Sequence, residues 1–176
     1  ASHNLSFEGA PWFIFELARY LAAQPGISVR VIAPQDGPMS QVFLDAGMPV
    51  TVLHLAKSFQ AKSPKEFHAE LAKAVGQQSG HKAPPTAGIN WDEVDLVMAN
   101  TMVSFWAIHL ARAAGKPSVL YVHESSPVRR FFEPILASTL FPVVEEAFRL
   151  AQRVVYTADS SRLVFDYLND RGNSVL

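Results

Sequence analysis

Five short apolar segments alternate with helical segments along this chain of 176 residues, and that alternation constrains its fold more than any other feature. The predicted strands are 28–33, 49–53, 94–99, 118–122 and 153–157, each bounded by turn or helix signals. Strands of a parallel sheet are apolar on both faces, and consecutive parallel strands need a helical crossover. The pattern predicts an α/β fold, with a doubly wound parallel sheet covered by helices on both faces.

The helices are predicted from apolar spacing and from the residues at their ends. Pro11 suits the first turn of a helix that stops at Pro25-Gly26, and Ser63-Pro64-Lys65-Glu66 combines an N-cap, a first-turn proline and a capping-box glutamate. Four further helices are predicted at 39–46, 102–114, 143–151 and 160–168. Segment 125–141 is predicted to be a long loop with one short helix, and segment 80–90 a mobile loop.

Length and charge narrow the classes of protein to which the chain can belong. Residues 1–176 suit a single domain. Fifteen Lys and Arg against 16 Asp and Glu give a formal net charge of −1, which argues against nucleic acid as the main partner. The absence of cysteine excludes disulfides and thiolate metal sites, and no apolar run approaches the roughly 18 residues that span a bilayer.

The start of the chain departs from the usual order of a doubly wound domain. A strand normally precedes the first helix, but only Ser2-His3-Asn4 and a short loop stand there. We therefore expect segments 28–33 and 94–99 to flank the place of a missing first strand. Unpaired strand edges are costly inside a sheet. The two segments are thus expected to pair with each other, or the gap to be filled by a partner chain or by 174–176.

Ligands of open parallel sheets bind outside the carboxyl ends of the strands. The polar segments predicted at those ends are 2–10, 100–101, 123–126 and 157–160. In the first of them, Glu8-Gly9-Ala10-Pro11 leads into a helix through two small residues. A helix N-terminus with room in front of it can hold a phosphate, although a glycine before a helix is also ordinary loop geometry.

The other polar positions each have a structural and a functional interpretation. His123, directly after a strand, either caps the strand end or points at a ligand, and Asn100-Thr101 either N-caps the next helix or contacts a ligand. Arg129-Arg130 forms a solvated turn or a surface for an anionic or lipid-linked partner. His109 has no metal-ligand partner at a recognisable spacing, so it is predicted to be structural and no metal site is predicted.

Several of these segments together resemble a known family. The segments are Ser2-His3-Asn4-Leu5-Ser6, Glu8-Gly9-Ala10-Pro11, Ala99-Asn100-Thr101, Tyr121-Val122-His123-Glu124-Ser125 and Arg153-Val154-Val155-Tyr156. In this order and spacing they resemble the N-terminal domain of family 4 (group 1) glycosyltransferases of the GT-B fold. The resemblance covers almost the whole chain.

The resemblance implies one of two Rossmann-like halves of a bacterial enzyme that builds surface polysaccharides. Such an enzyme is a retaining hexosyltransferase that needs no metal or cofactor besides its nucleotide-sugar donor. The N-terminal half holds a glycan or lipid-linked acceptor, in the cytoplasm or at the inner face of the membrane. The family's first strand would precede Ser2 and its donor-binding C-terminal domain would follow Leu176, so the fragment alone is expected to be inactive.

The resemblance also implies roles for individual residues. His123 would contact the donor sugar near the reacting centre as the catalytic residue, and Gly9, Ala10 and Glu124 would contact the donor. The expected acceptor contacts are Asn4, Glu8, Asn100, Thr101 and Arg129. The alternative function is a non-catalytic binding or scaffolding domain that kept the fold and lost the chemistry.

Overall fold

The structure, a computed structural model, describes residues 1–76 and 89–176, and its helices and strands follow the predicted alternating order. The helices are α1 (Gly9–Ala22), α2 (Met39–Asp45), α3 (Ala56–Phe59), α4 (Pro64–Gly76), α5 (Phe105–Ala113), α6 (Val128–Phe132), α7 (Phe141–Leu150) and α8 (Asp159–Val164). The strands are β1 (Val31–Ala33), β2 (Val50–Val52), β3 (Val97–Asn100), β4 (Ser118–Val122), β5 (Arg153–Tyr156) and β6 (Ser174–Val175). None of the helices in the described ranges is long and apolar enough to cross a membrane.

All paired strands run parallel, as the alternation predicted. β1 pairs with β2, and a second group has the order β3-β4-β5-β6. In the second group, Leu120 of β4 lies opposite Ala99 on one side and Val154 on the other. The carboxyl ends of these strands therefore meet at one edge.

The first two residues lie between the two groups of strands. The Ser2 N–H donates to the Ile32 carbonyl at 2.9 Å, and the Ala1 carbonyl accepts from the Asn100 N–H at 3.0 Å. The expected flanking positions of β1 and β3 are thus confirmed. Segment 174–176 does not fill this gap, because Ser174 and Val175 pair with β5 at the opposite edge of the sheet.

Alternate strand residues pack into two apolar layers, so the sheet is covered on both faces. Val31 and Ala33 lie in a core shared with α1 and α2, whereas Ile32 between them belongs to the larger core on the other face. On β4, Leu120 and Val122 belong to the larger core. The Tyr121 ring instead contacts Phe13 of α1 at a centroid distance of 5.0 Å.

The observed element ends differ from the predicted ones where tertiary pairing determines them. β1 and β3 each begin three residues later than the predicted segments 28–33 and 94–99, because their first bonds reach Pro49 and Pro117, the residues directly before β2 and β4. The Ser63 hydroxyl accepts from the Glu66 N–H at 3.2 Å, which confirms that cap. Loop 125–141 contains α6 as its short helix, and the loop predicted at 80–90 lies outside the described residues except for its last two.

Gly37 is a position where the fold leaves no room for a side chain. A Cβ atom there would lie 2.7 Å from the Leu5 carbonyl carbon and closer still to its oxygen. That oxygen accepts the Met39 N–H at 2.8 Å, so the backbone cannot easily move aside. Gly37→Ala is therefore expected to lower the free energy of unfolding by about 1–3 kcal/mol in urea or thermal unfolding. Gly9→Ala, whose Cβ would meet nothing within 4 Å, is the control, and equal losses in both variants would contradict this account.

Candidate functional site

Three of the predicted site residues meet at the carboxyl edge of the sheet. His123 follows β4, Asn100 ends β3, and Ala10 lies in the first turn of α1. The His123 Nε2 atom lies 2.9 Å from Asn100 Oδ1, and Asn100 Nδ2 donates to the Ala10 carbonyl at 2.8 Å. Asn100 is fully buried and thus connects the histidine to the start of the helix. We call these three residues the His123 cluster.

The hydrogen bonds of the cluster determine which nitrogen of His123 carries the proton. The Asn100 amide must present Nδ2 to the Ala10 carbonyl, which leaves Oδ1 facing His123. Since Oδ1 can only accept, Nε2 of His123 donates. In the neutral ring Nδ1 then keeps its lone pair, so His123 offers a hydrogen-bond acceptor at that atom.

The surroundings of His123 favour the neutral ring. Burial lowers its pKa from the usual 6.5, and the neighbouring His3 lowers it further. The Phe13 ring meets the imidazole edge-on, with a centroid distance of 4.9 Å. The Tyr121 ring is a second aromatic neighbour, with a centroid distance of 5.4 Å. Two aromatic neighbours thus limit both the hydration and the rotation of the ring.

His3 belongs to the same neighbourhood, although the sequence did not single it out as a site residue. Its Nδ1 atom is buried without a hydrogen-bond partner among the described residues, and its Nε2 atom lies 3.8 Å from a Glu8 carboxylate oxygen. Burial lowers the pKa of His3, and Glu8 opposes that effect. The sequence feature that could have identified His3 is its position in the polar segment 2–10, beside the place of the missing strand.

The N-terminus of α1 is open at Gly9. This residue is exposed, and a Cβ added to it would meet nothing within 4 Å. Glu8 occupies the N-cap position without capping the helix through its side chain. Its carboxylate instead accepts from Asn4 Nδ2 at 3.4 Å, and hydrogen bonds from Ser6 and Asn4 lower its pKa. The positive end of the helix dipole and the N–H groups of Gly9 and Ala10 are therefore available to an anion. Pro11 has no N–H, and the Trp12 N–H donates to the Glu8 carbonyl at 3.1 Å.

The Glu124 carboxylate accepts hydrogen bonds from the backbone at the ends of two neighbouring strands. Its Oε2 atom accepts from the Met102 N–H at 3.2 Å and from the His123 N–H at 3.1 Å. Burial raises the pKa of this carboxyl, and the backbone donors oppose that effect. Glu124 therefore caps the turn that leads into α5. The N-cap interpretation of Asn100-Thr101 is wrong, because Asn100 bonds elsewhere and Thr101 makes no side-chain cap.

Thr101 and Arg129 differ in their relation to the cluster. Thr101 follows Asn100 with a φ of +70°, which costs a β-branched residue about 1–3 kcal/mol. Its hydroxyl is buried without a partner among the described residues. Arg129 is exposed on α6, and its positive charge opposes the rise in pKa that burial causes in Tyr167. No hydrogen bond or ion pair of the described residues joins its side chain to the His123 cluster.

Comparison with known sequences identifies the family. Residues 7–163 match the sequence profile of Glycosyltransferase Family 4. The chain belongs to this family. No curated protein sequence matches it.

Two solved structures resemble the fold of this family 4 chain. They are crystal structures of HepE (Alr3699) from Anabaena, one in complex with UDP and one with UDP and glucose. Both superpose with a TM-score of 0.64 at 18% sequence identity. The match covers 99% of this chain for the UDP complex and 98% for the complex with UDP and glucose. The chain spans 41% of the HepE chain in both cases. The likeness confirms the Rossmann-like fold.

The geometry of this family 4 domain defines what its site can do chemically. It offers an anion position in front of Gly9 and a hydrogen-bond acceptor at Nδ1 of His123, joined through the amide of Asn100. Because Asn100 is buried and both its amide groups are engaged, the two positions are held in a fixed relation.

Proposed function

We propose that this chain is the acceptor-side domain of a retaining glycosyltransferase, which moves a sugar from a nucleotide-sugar to a glycan or lipid-linked acceptor. The observation that carries the proposal is the link between an open helix N-terminus and a neutral histidine. Gly9 leaves the N-terminus accessible, and Asn100 ties His123 to the adjacent residue Ala10. Family membership supports the same reaction class.

A nucleotide-sugar matches this pair of positions because its diphosphate is directly attached to its sugar. The diphosphate would occupy the helix N-terminus, where N–H groups and the dipole favour negative charge. A sugar hydroxyl would donate to Nδ1 of His123. The complexes of HepE with UDP and with UDP and glucose make uridine nucleotides the first donors to test.

The acceptor would lie against the loop that precedes α1. Asn4 and Glu8 are joined there at 3.4 Å, and Glu8 is exposed. A partly exposed, hydrogen-bonded carboxylate and amide suit sugar hydroxyls, which both donate and accept. We further propose that most donor contacts come from a second domain, so that this chain alone binds nucleotide-sugars weakly and transfers no sugar.

Gly9→Val in the full-length protein tests the donor position. The valine side chain would occupy the space in front of the helix, and it meets no neighbour within 4 Å at its Cβ. The loss of one contact between an anion and a helix N-terminus weakens binding by up to about 2 kcal/mol. The donor KM is therefore expected to rise about three- to thirtyfold. Initial rates with a panel of nucleotide-sugars, UDP-sugars first, measure the change.

Ala22→Val is the matched control, because it puts the same side chain on an exposed position at the other end of α1. It should leave the donor KM unchanged, and both variants should keep the wild-type melting temperature. If the full-length protein transfers no sugar from any donor of the panel, the transferase proposal is wrong and a non-catalytic binding domain replaces it. An unchanged donor KM in Gly9→Val would overturn the placement of the diphosphate.

A further inference from the structure

Three side chains from three different helices meet on the face of the sheet opposite α1. His68 lies on α4, His109 on α5 and Glu146 on α7, and one possible ligand atom from each lies within 4.8 Å of the other two. The two imidazole rings are T-shaped, with centroids 4.9 Å apart. This group has no part in the His123 cluster.

The buried member of the group has one ring nitrogen bound to the backbone and the other free to accept. His109 is 5% exposed, and its Nε2 atom lies 2.9 Å from the Val143 carbonyl. A carbonyl only accepts, so Nε2 donates and Nδ1 carries the lone pair. Metal-binding histidines commonly donate their other ring N–H to a backbone carbonyl, which fixes the ring and the tautomer. Burial also lowers the pKa of His109, which keeps the ring neutral.

We propose that His68, His109 and Glu146 bind one divalent transition-metal ion of the zinc type. Two imidazoles and one carboxylate are a ligand set that Zn²⁺ accepts, with water in the fourth position of a tetrahedron. The carboxylate offsets part of the ion's charge, and both imidazoles bind as neutral ligands.

The present spacing needs only a small adjustment to hold the ion. Ligand bonds of about 2.0–2.1 Å place tetrahedral ligand atoms roughly 3.3 Å apart. The hydrogen bond to Val143 fixes the position of His109, and the exposed side chains of His68 and Glu146 would make the adjustment. Neighbouring Phe67 is fully buried and stacks on Phe105 at 5.5 Å, so α4 is already anchored beside α5.

The bound ion would connect α4 and α7 through α5. Such a link raises the stability of the folded protein, because the three ligands come together only when all three helices are packed. The site therefore has a structural role, and its loss should leave sugar transfer intact at temperatures where the protein is folded.

Titration of the untagged full-length protein with ZnCl₂ tests the proposal. Calorimetry should show a site whose affinity falls at least tenfold in His68→Ala and in Glu146→Gln. Glu145→Gln is the control, since it removes a carboxylate from the preceding position of the same helix and should bind like the wild type. Added Co²⁺ should give the visible d–d absorption of a tetrahedral complex in the wild type and the control only.

Zinc should also raise the melting temperature of the wild type and of Glu145→Gln more than that of the two ligand variants. Equal zinc affinity in all four proteins would overturn the proposal, because the ion would then bind elsewhere. The absence of zinc binding to the folded wild type would overturn it as well.

Discussion

Replacing His123 by alanine in the full-length protein is expected to lower kcat of the proposed sugar transfer about ten- to a thousand-fold, with a smaller change in KM. The variant loses the acceptor at Nδ1. In the transferase function proposed above, that atom would contact the donor sugar, and a contact that strengthens as the glycosidic bond breaks contributes mainly to the transition state. The fold should survive, because His123 is only partly buried and water can replace its bond to Asn100. Measuring kcat, KM and melting temperature on one preparation separates these effects.

His54→Asn is the control for the loss of a histidine. His54 is exposed and has a φ of +51°, a conformation that asparagine tolerates. This variant should match the wild type in both kcat and melting temperature. If His123→Ala instead melts at a lower temperature while each folded molecule keeps its turnover, His123 only caps the strand and the catalytic interpretation is wrong.

The pH dependence of the wild type follows from the direction of the His123 pKa. Protonation turns Nδ1 from an acceptor into a donor, so kcat should fall as the pH decreases through a pKa below 6.5. Between that lowered pKa and 6.5, the unfolded chain binds more protons than the folded one. The contribution of His123 to stability therefore increases with pH across this window and is constant above it.

The sheet could be predicted from the sequence because each strand carries its own local signal. All five predicted segments overlap a strand, and all paired strands run parallel. The two-residue strand β6 was missed as a strand of its own, since Ser174-Val175 has no pattern and is defined only by its pairing with β5.

The contacts of the site could be predicted only in part, because its residues are distant in sequence. The position of His123 and Asn100 at strand ends follows from local pattern, but their bond does not, and neither does the bond from Asn100 to Ala10. Glu124 also shows no local sign that its carboxylate caps Met102, in the turn after the neighbouring strand. His109 looked isolated for the same reason, since His68 and Glu146 lie on other helices.

Asn100→Asp is expected to lower kcat at pH 7 about tenfold to a hundredfold, although it changes only an amide into a carboxylate. One carboxylate oxygen can still accept from Nε2 of His123, but the other would face the Ala10 carbonyl, an acceptor that the amide now satisfies at 2.8 Å. A buried negative charge beside the imidazole raises the pKa of His123, which is the reverse of the wild-type shift. The protonated ring then presents a donor at Nδ1, where the proposed contact with a sugar hydroxyl needs an acceptor.

The variant should therefore recover activity as the pH rises and His123 loses its proton, whereas the wild-type rate is already constant there. Its stability should be about 1–3 kcal/mol lower, because the Ala10 carbonyl loses its donor. Profiles of kcat against pH, with NMR titration of His123, measure both effects. Asn169→Asp is the control, since its oxygen accepts the Ser174 N–H at 3.2 Å and a carboxylate can do the same. A wild-type pH profile in Asn100→Asp would show that Asn100 supports the fold alone and does not set the protonation of His123.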